Sequence, residues 1–138
     1  MKKLLKKKAK TLSKLTKELD SVFSLYIRNR YADIYGMVRC FTCGVKKHWK
    51  EQQCGHFVSR SHRGVRWEEK NARPQCFACN CLKAGNMATF SVRLIAEEGL
   101  ETVKALEKEK YTLTKFSTVD LQNMIDFYKE KYEATKKD

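Results

Sequence analysis

The sequence predicts a mostly helical α+β fold, organised as a single domain with a cysteine-rich segment set between helical flanks. Three observations carry that expectation. Apolar residues recur at helical spacing towards both ends of the chain, and this periodicity is lost over residues 36–87. The same segment holds all six cysteines, all three histidines and both tryptophans. One proline in 138 residues and a hydrophobic fraction of 42% fit a helical globular chain of ordinary domain size.

The flanks are justified residue by residue. Residues 1–10 form a basic arm with six lysines and no apolar stretch of the kind a secretory signal needs. Beyond it, Leu12, Leu15, Leu19, Val22, Phe23, Tyr26 and Ile27 fall on the i, i+3, i+4, i+7 template, which predicts an amphipathic helix over 11–35. Residues 88–138 form a C-terminal helical region. Phe90, Leu94 and Ile95 share one helical face from Met87 to Glu98, closed by Gly99 at a position that suits a helix-terminating glycine. Leu100, Val103 and Leu106 define a second helix. Ser117 with Asp120 three residues on reads as the N-cap of a last one, striped with Leu121, Met124, Ile125, Tyr128 and Tyr132.

The middle segment, 36–87, needs a different source of order. Cys40-x-x-Cys43 and Cys76-x-x-Cys79 are separated by 32 residues. Each pair can bend around a tetrahedral ion, and two together complete a closed four-sulfur zinc site. A thioredoxin-like redox pair is disfavoured because neither motif opens a helix in a βαβ pattern. The ligands come from both ends of the segment, so metal removal is expected to unfold it. Cys54 and Cys81 are read as non-ligands, small residues of the kind that pack in cores. With no export signal evident, a cytoplasmic, reducing compartment is expected, and no apolar run is long enough for a membrane span.

The formal net charge is +13. Thiolates around zinc lower it by only about two. Such an excess points first to a polyanion, because phosphate neutralisation gives affinity independent of base sequence. Residues 2–17, with eight lysines and no acid before Glu18, are the expected source of backbone affinity. A plain solubility surface is the alternative.

Between the knuckles lie Gly55-His56-Phe57 and Arg66-Trp67-Glu68-Glu69-Lys70-Asn71, and Asn80 follows the fourth cysteine. The order Cys-x-x-Cys, His, Asn, Cys-x-x-Cys, Asn resembles the ββα-metal (HNH, or His-Me finger) nucleases. That resemblance implies a zinc-stabilised ββα-metal core and a metal-dependent endonuclease. His56 would be the general base, Asn71 the residue that ties the loop and orients it, and Asn80 a ligand to a catalytic divalent ion. The chemistry suits these residue types. Phosphodiester hydrolysis needs a base near neutrality, and an amide oxygen with waters suits hard Mg²⁺ or Mn²⁺. One feature departs from the pattern: these sites commonly carry an acid immediately before the histidine, where this chain has Gly55. Either His56 is itself a ligand, or a carboxylate comes from elsewhere, Glu69 first among the candidates. Arg60, Arg63, Arg66, Trp67 and Lys83 flank the region and are the candidate nucleic-acid contacts, Trp67 either stacking on a base or packing beneath the loop.

The longer run Cys40-Phe-Thr-Cys43-Gly44, Cys54-Gly55-His56-Phe57-Val58-Ser59-Arg60, Arg66-Trp67, Asn71, Gln75-Cys76, Cys79-Asn80, Lys83 and Gly85-Asn86 resembles the phage NinG/Rap recombination proteins. Phage endonuclease VII resolvases are a more distant parallel. The resemblance covers roughly residues 12–130 and implies an endonuclease for branched DNA, Holliday junctions and displacement loops, in phage recombination. Relative to longer members, an N-terminal cysteine-containing extension and its targeting function are expected to be missing. Symmetric cutting would call for a homodimer, with the first and last helices as candidate interfaces, although those stripes serve equally as an intrachain core. A noncatalytic zinc module that binds nucleic acid, and an HNH nickase indifferent to junctions, are the competing readings.

Overall fold

A computed structural model describes residues 8–137. Most of the basic arm therefore lies outside the described residues. The described chain is a mixed fold of helices and two small sheets, in the order α1 (Leu12–Arg30), β1 (Met37–Arg39), β2 (Lys46–His48), β3 (Gln53–His56), α2 (Arg63–Arg66), β4 (Ala72–Gln75), α3 (Met87–Glu98), α4 (Leu100–Lys108) and α5 (Thr118–Thr135). A π-helical turn, Ala78–Leu82, separates β4 from α3.

Helix α1 starts where Thr11 Oγ1 accepts the Lys14 amide at 3.2 Å. It ends about a turn short of the expected boundary at 35. The Asp33 carboxylate accepts the amides of Tyr35 (2.9 Å) and Met37 (3.0 Å). This local turn competes with helix continuation, and Gly36, at φ 78°, then sends the chain into β1. At the other end, Ser117 and Asp120 form a reciprocal capping box on α5.

The apolar stripes of α1 and α5 meet each other. Leu15, Leu19, Val22, Phe23, Tyr26 and Ile27 bury against Leu121, Ile125 and Tyr128, with Trp67 and Ala72 closing the cluster from the central segment. Of the two uses open to these stripes, the structure realises the intrachain core: each stripe is buried inside the chain. A second cluster joins Val58 and Val65 to Phe90, Leu94, Val103 and Leu106, so α3 and α4 support the opposite side of the β3–β4 loop.

Both sheets are antiparallel pairs. Strand β1 faces β2 with Val38 opposite Lys47, and β3 faces β4 with Gln53 opposite Gln75 and His56 opposite Ala72. Among the described residues, no helix is long and apolar enough to cross a membrane.

Candidate metal centre and adjoining cavity

The four cysteines meet at one point. Cys40 and Cys43 lie between β1 and β2, in a turn completed by Gly44 at φ 80° and by the Gly44 amide on the Cys40 carbonyl. Cys76 follows β4 directly, and Cys79 lies in the π-helical turn. All four Sγ atoms are within 4.8 Å of one another. Cys43 and Cys76 sulfurs stand 3.7 Å apart. A tetrahedral Zn²⁺ with bonds of about 2.3 Å has sulfur edges near 3.8 Å, so the cluster fits the ion and is far too open for disulfides.

Each pair also turns an amide towards sulfur. The Cys43 amide points at Cys40 Sγ and the Cys79 amide at Cys76 Sγ, both at 3.5 Å, and Asn86 Nδ2 lies 3.8 Å from Cys79 Sγ. Burial opposes ionisation of Cys40, yet the Cys43, Cys76 and Thr42 amides and the Thr42 hydroxyl prevail and bring its thiol down to about 6. At Cys43 the Val45 amide favours the thiolate, but burial and the neighbouring sulfurs win and push the thiol up to about 12. The opposite directions reflect one cluster: the first thiolate makes the next costlier, and a dication relieves that repulsion. Cys54 and Cys81 lie outside the cluster. Burial pushes the Cys54 thiol up to about 12.

Beside the sulfur cluster opens a cavity of about 960 Å³ whose lining includes Asp20, Gln53, His56, Arg60, His62 and Asn80. The structure thus brings together His56 and Asn80, 24 positions apart in the chain. His56 closes β3, and Phe23 of α1 lies against it with ring centroids 6.0 Å apart. Its Nε2 sits 2.8 Å from the Arg66 carbonyl. A carbonyl only accepts, so Nε2 carries the proton and Nδ1 is left as the ring's acceptor. Burial holds the His56 pKa below its ordinary value, against the opposing pull of the Arg66 carbonyl. The imidazole is therefore neutral at pH 7.

Asn71 is fully buried outside this cavity. Its Oδ1 accepts the Val58 amide (2.8 Å), and its Nδ2 donates to the carbonyls of Val58 (2.9 Å) and Val65 (3.0 Å). These bonds close the loop between β3 and β4 and fix the chain immediately before Arg66.

Several expected contacts sit elsewhere. Glu69 is not brought to the cavity, since its carboxylate is held by Arg30 (3.1 Å) and Lys131 (2.5 Å). Of the two readings of Trp67, the structure realises packing and not base stacking: it is 4% exposed, packs on Phe116 and donates from Nε1 to Asp20 at 3.0 Å. Arg66 is likewise committed, with Nε and Nη2 on the two Asp20 oxygens at 3.0 and 2.6 Å. Arg60 remains exposed at the cavity, 3.8 Å from Asp20. Arg63 lines an adjoining hollow, and Lys83 is exposed just past the second knuckle.

Two residues of the cavity escaped sequence reasoning. Gln53 Oε1 accepts Asn80 Nδ2 at 2.7 Å and Cys81 Sγ at 3.3 Å. Asp20 brings a carboxylate from α1, held below its ordinary pKa: burial opposes ionisation, and the Arg66, Trp67 and Arg60 contacts overcome it. Gln53 was within reach, since β3 alternation puts it on the same strand two residues before Gly55. Asp20 was not, because nothing local links it to residue 66. The oxygen-bearing groups of the cavity include the Asn80 and Gln53 amides and the Asp20 carboxylate, the last already held by Arg66 and Trp67.

Comparison with known proteins adds a family. The model of the Bacteriophage Lambda NinG protein family matches residues 1–138. The chain is 30% identical over 94 residues to Protein ninG of Escherichia phage lambda, covering 66% of this chain and 43% of that protein. It is 28% identical over 96 residues to Protein ninG of Salmonella phage P22, covering 67% and 44%. The matched stretch spans less than half the length of these relatives. No solved structure matches.

Proposed function

Because this chain belongs to the NinG family, we propose that it is a zinc-built, metal-dependent endonuclease that cleaves branched DNA, Holliday junctions and displacement loops included, of the HNH type. One observation carries the reading. His56, neutral and with Nδ1 left to accept, lines the same cavity as Asn80, the residue that follows the last zinc cysteine. The succession β3, β4 and a helical segment, with the histidine ending the first strand, is consistent with a ββα-metal core.

In this reading zinc is structural, held by Cys40, Cys43, Cys76 and Cys79. Mg²⁺ or Mn²⁺ would be held by Asn80 with Gln53 or Asp20, and when bound it supplies positive charge against the scissile phosphate and the leaving oxygen. The chain's own residues do the rest. His56 accepts at Nδ1 the proton lost by the attacking water, while its Nε2–H bond to the Arg66 carbonyl holds the ring in place. Asn71 fixes the loop that presents that carbonyl. Arg60 and Lys83, both exposed, meet the phosphate backbone. Paired cuts call for two copies, which would meet on faces other than the stripes of α1 and α5.

The test is incubation of the zinc-loaded chain with a four-way junction and a matched linear duplex in Mg²⁺ or Mn²⁺. Junction cutting is expected, and His56→Ala should bind the junction normally while cutting about 10² to 10⁴ times more slowly. Tight binding without cleavage would leave a noncatalytic zinc module. Equal cutting of both DNAs would leave a nickase with no junction preference.

A further inference from the structure

The most exposed large apolar side chains among the described residues are Tyr111, 89% exposed, and Leu113, 87% exposed. Both sit on the connection between α4 and α5, which is anchored at each end. Leu106 is buried in the second core cluster, and Phe116 packs edge-on against Trp67 at 5.7 Å. The connection also lies directly on α2. A Cβ at Gly64 would come within 2.9 Å of Thr114 Oγ1 and 3.2 Å of Glu109 Oε2. The connection thus holds two apolar tips out in solvent between fixed ends.

Position says what the partner is. Tyr111 and Leu113 rim a hollow of about 320 Å³ whose other walls include His62, Arg63 and Lys110. His62 and Lys110 also line the larger cavity that contains His56 and Asn80, so the two spaces adjoin. Arg63 and Lys110 put two cations on the walls of this hollow. A second copy of this chain would bring like charges together here. A nucleic acid brings phosphates for the cations and base faces for the apolar tips.

Resting on the nuclease reading, we propose that Tyr111 and Leu113 form a wedge that stacks on bases left unpaired at a DNA branch point, seating the branch beside the His56 cavity. Linear duplex has no open step to receive the wedge, so these residues set preference for branched over linear DNA and add little to general affinity.

The experiment uses the zinc-loaded full chain without added divalent ion, a four-way junction carrying 2-aminopurine at the branch, and a matched linear duplex. The parent chain is expected to prefer the junction and brighten the probe as the base unstacks. The double variant Tyr111→Ala, Leu113→Ala should lose the brightening and roughly tenfold in junction affinity, with duplex affinity held within about twofold. Tyr111→Phe keeps a stacking face and should behave as the parent. Both side chains lie in solvent, and unchanged zinc content and circular dichroism verify the fold. A double variant that still prefers junctions, or weakens equally on both DNAs, overturns the wedge. So does a variant whose only change is a fall from dimer to monomer by light scattering, which would make the loop an interface between copies. A parent that binds neither DNA removes the nuclease reading and the wedge together. A parent that cuts junctions once Mg²⁺ is added, paired with a variant that still selects them, removes the wedge alone.

Discussion

The α1–α5 pair and the knuckle segment 36–87 are held together by opposite means. The helix pair interdigitates large apolar side chains, Leu19, Phe23, Ile27, Leu121 and Ile125 being fully buried. At the centre of the knuckle segment the buried cluster is Cys40, Cys76 and Cys79, and its largest enclosed side chains include Arg73, Gln75 and Asn71, which are polar. One region is stabilised by removing hydrocarbon from water. The other relies on sulfur, and on buried polar groups that pair only while the backbone is correctly placed. A site that presents an imidazole and amides is easier to build on the second kind of framework, where Asn71 and Arg73 already hold the backbone in place.

Removing the metal should break the comparison open most widely. Zinc binding by four thiolates contributes on the order of 10 kcal/mol in small metal-folded units, comparable to the whole stability of a domain this size. Chelation, or Cys76→Ser, should abolish amide-exchange protection across 36–87 while α1 and α5 keep part of theirs. Equal loss in both regions would show one cooperative unit. The reciprocal change is Leu19→Ala, at a fully buried position, expected to cost about 3 to 4 kcal/mol. In denaturant titrations it should lower the midpoint while the folded fraction retains one zinc per chain.

Asp20 is the seam between the regions, because its carboxylate ties α1 to Arg66 and Trp67 across 46 and 47 positions. Asp20→Asn removes two charge-assisted bonds and leaves Arg66 short of a partner, a loss of about 2 kcal/mol. The pH dependence has a definite sign. The folded pKa lies below the ordinary 3.8, so the contribution is complete above that value and declines as pH falls towards the folded pKa. The parent chain should therefore lose stability below about pH 4 more steeply than Asp20→Asn, as thermal melts from pH 6 to 3 would record.

What was legible in the sequence follows the same division. The α1 and α5 stripes and the Ser117 cap were readable because helical periodicity and capping are local, and the cysteine spacing was readable because each knuckle closes within four residues. The far end of α1 was misjudged because an aspartate side chain, Asp33, outcompeted a periodic signal. The cavity was only half visible. His56 and Asn80 stood out by order along the chain, whereas Asp20 and Gln53 enter through tertiary packing that no spacing encodes. Arg66 looked like a free nucleic-acid contact for the same reason, since the carboxylate that occupies it lies a helix away.

The smallest expected effect concerns the glycine that stands where an acid was anticipated. Gly55 is buried in β3, and a Cβ built on it would lie 2.0 Å from Gln75 Oε1. The Gln75 amide fills that space because its Nε2 donates to Thr42 Oγ1 (3.1 Å) and to the Gly85 carbonyl (2.9 Å), joining the first knuckle to the turn after the second. Any side chain at position 55, an aspartate included, must displace Gln75 and loosen both links. Gly55→Ala should therefore cost about 1 to 2 kcal/mol in denaturant midpoint, an overpacking penalty eased by the flexibility of the glutamine. Gly55→Ala combined with Gln75→Ala relieves the clash, so its loss should fall short of the sum of the two single losses. Strict additivity would mean that the glycine is needed for some reason other than room for Gln75. Subadditivity would mean that position 55 is closed to an acid because its space is taken by the glutamine that holds the two knuckles in register.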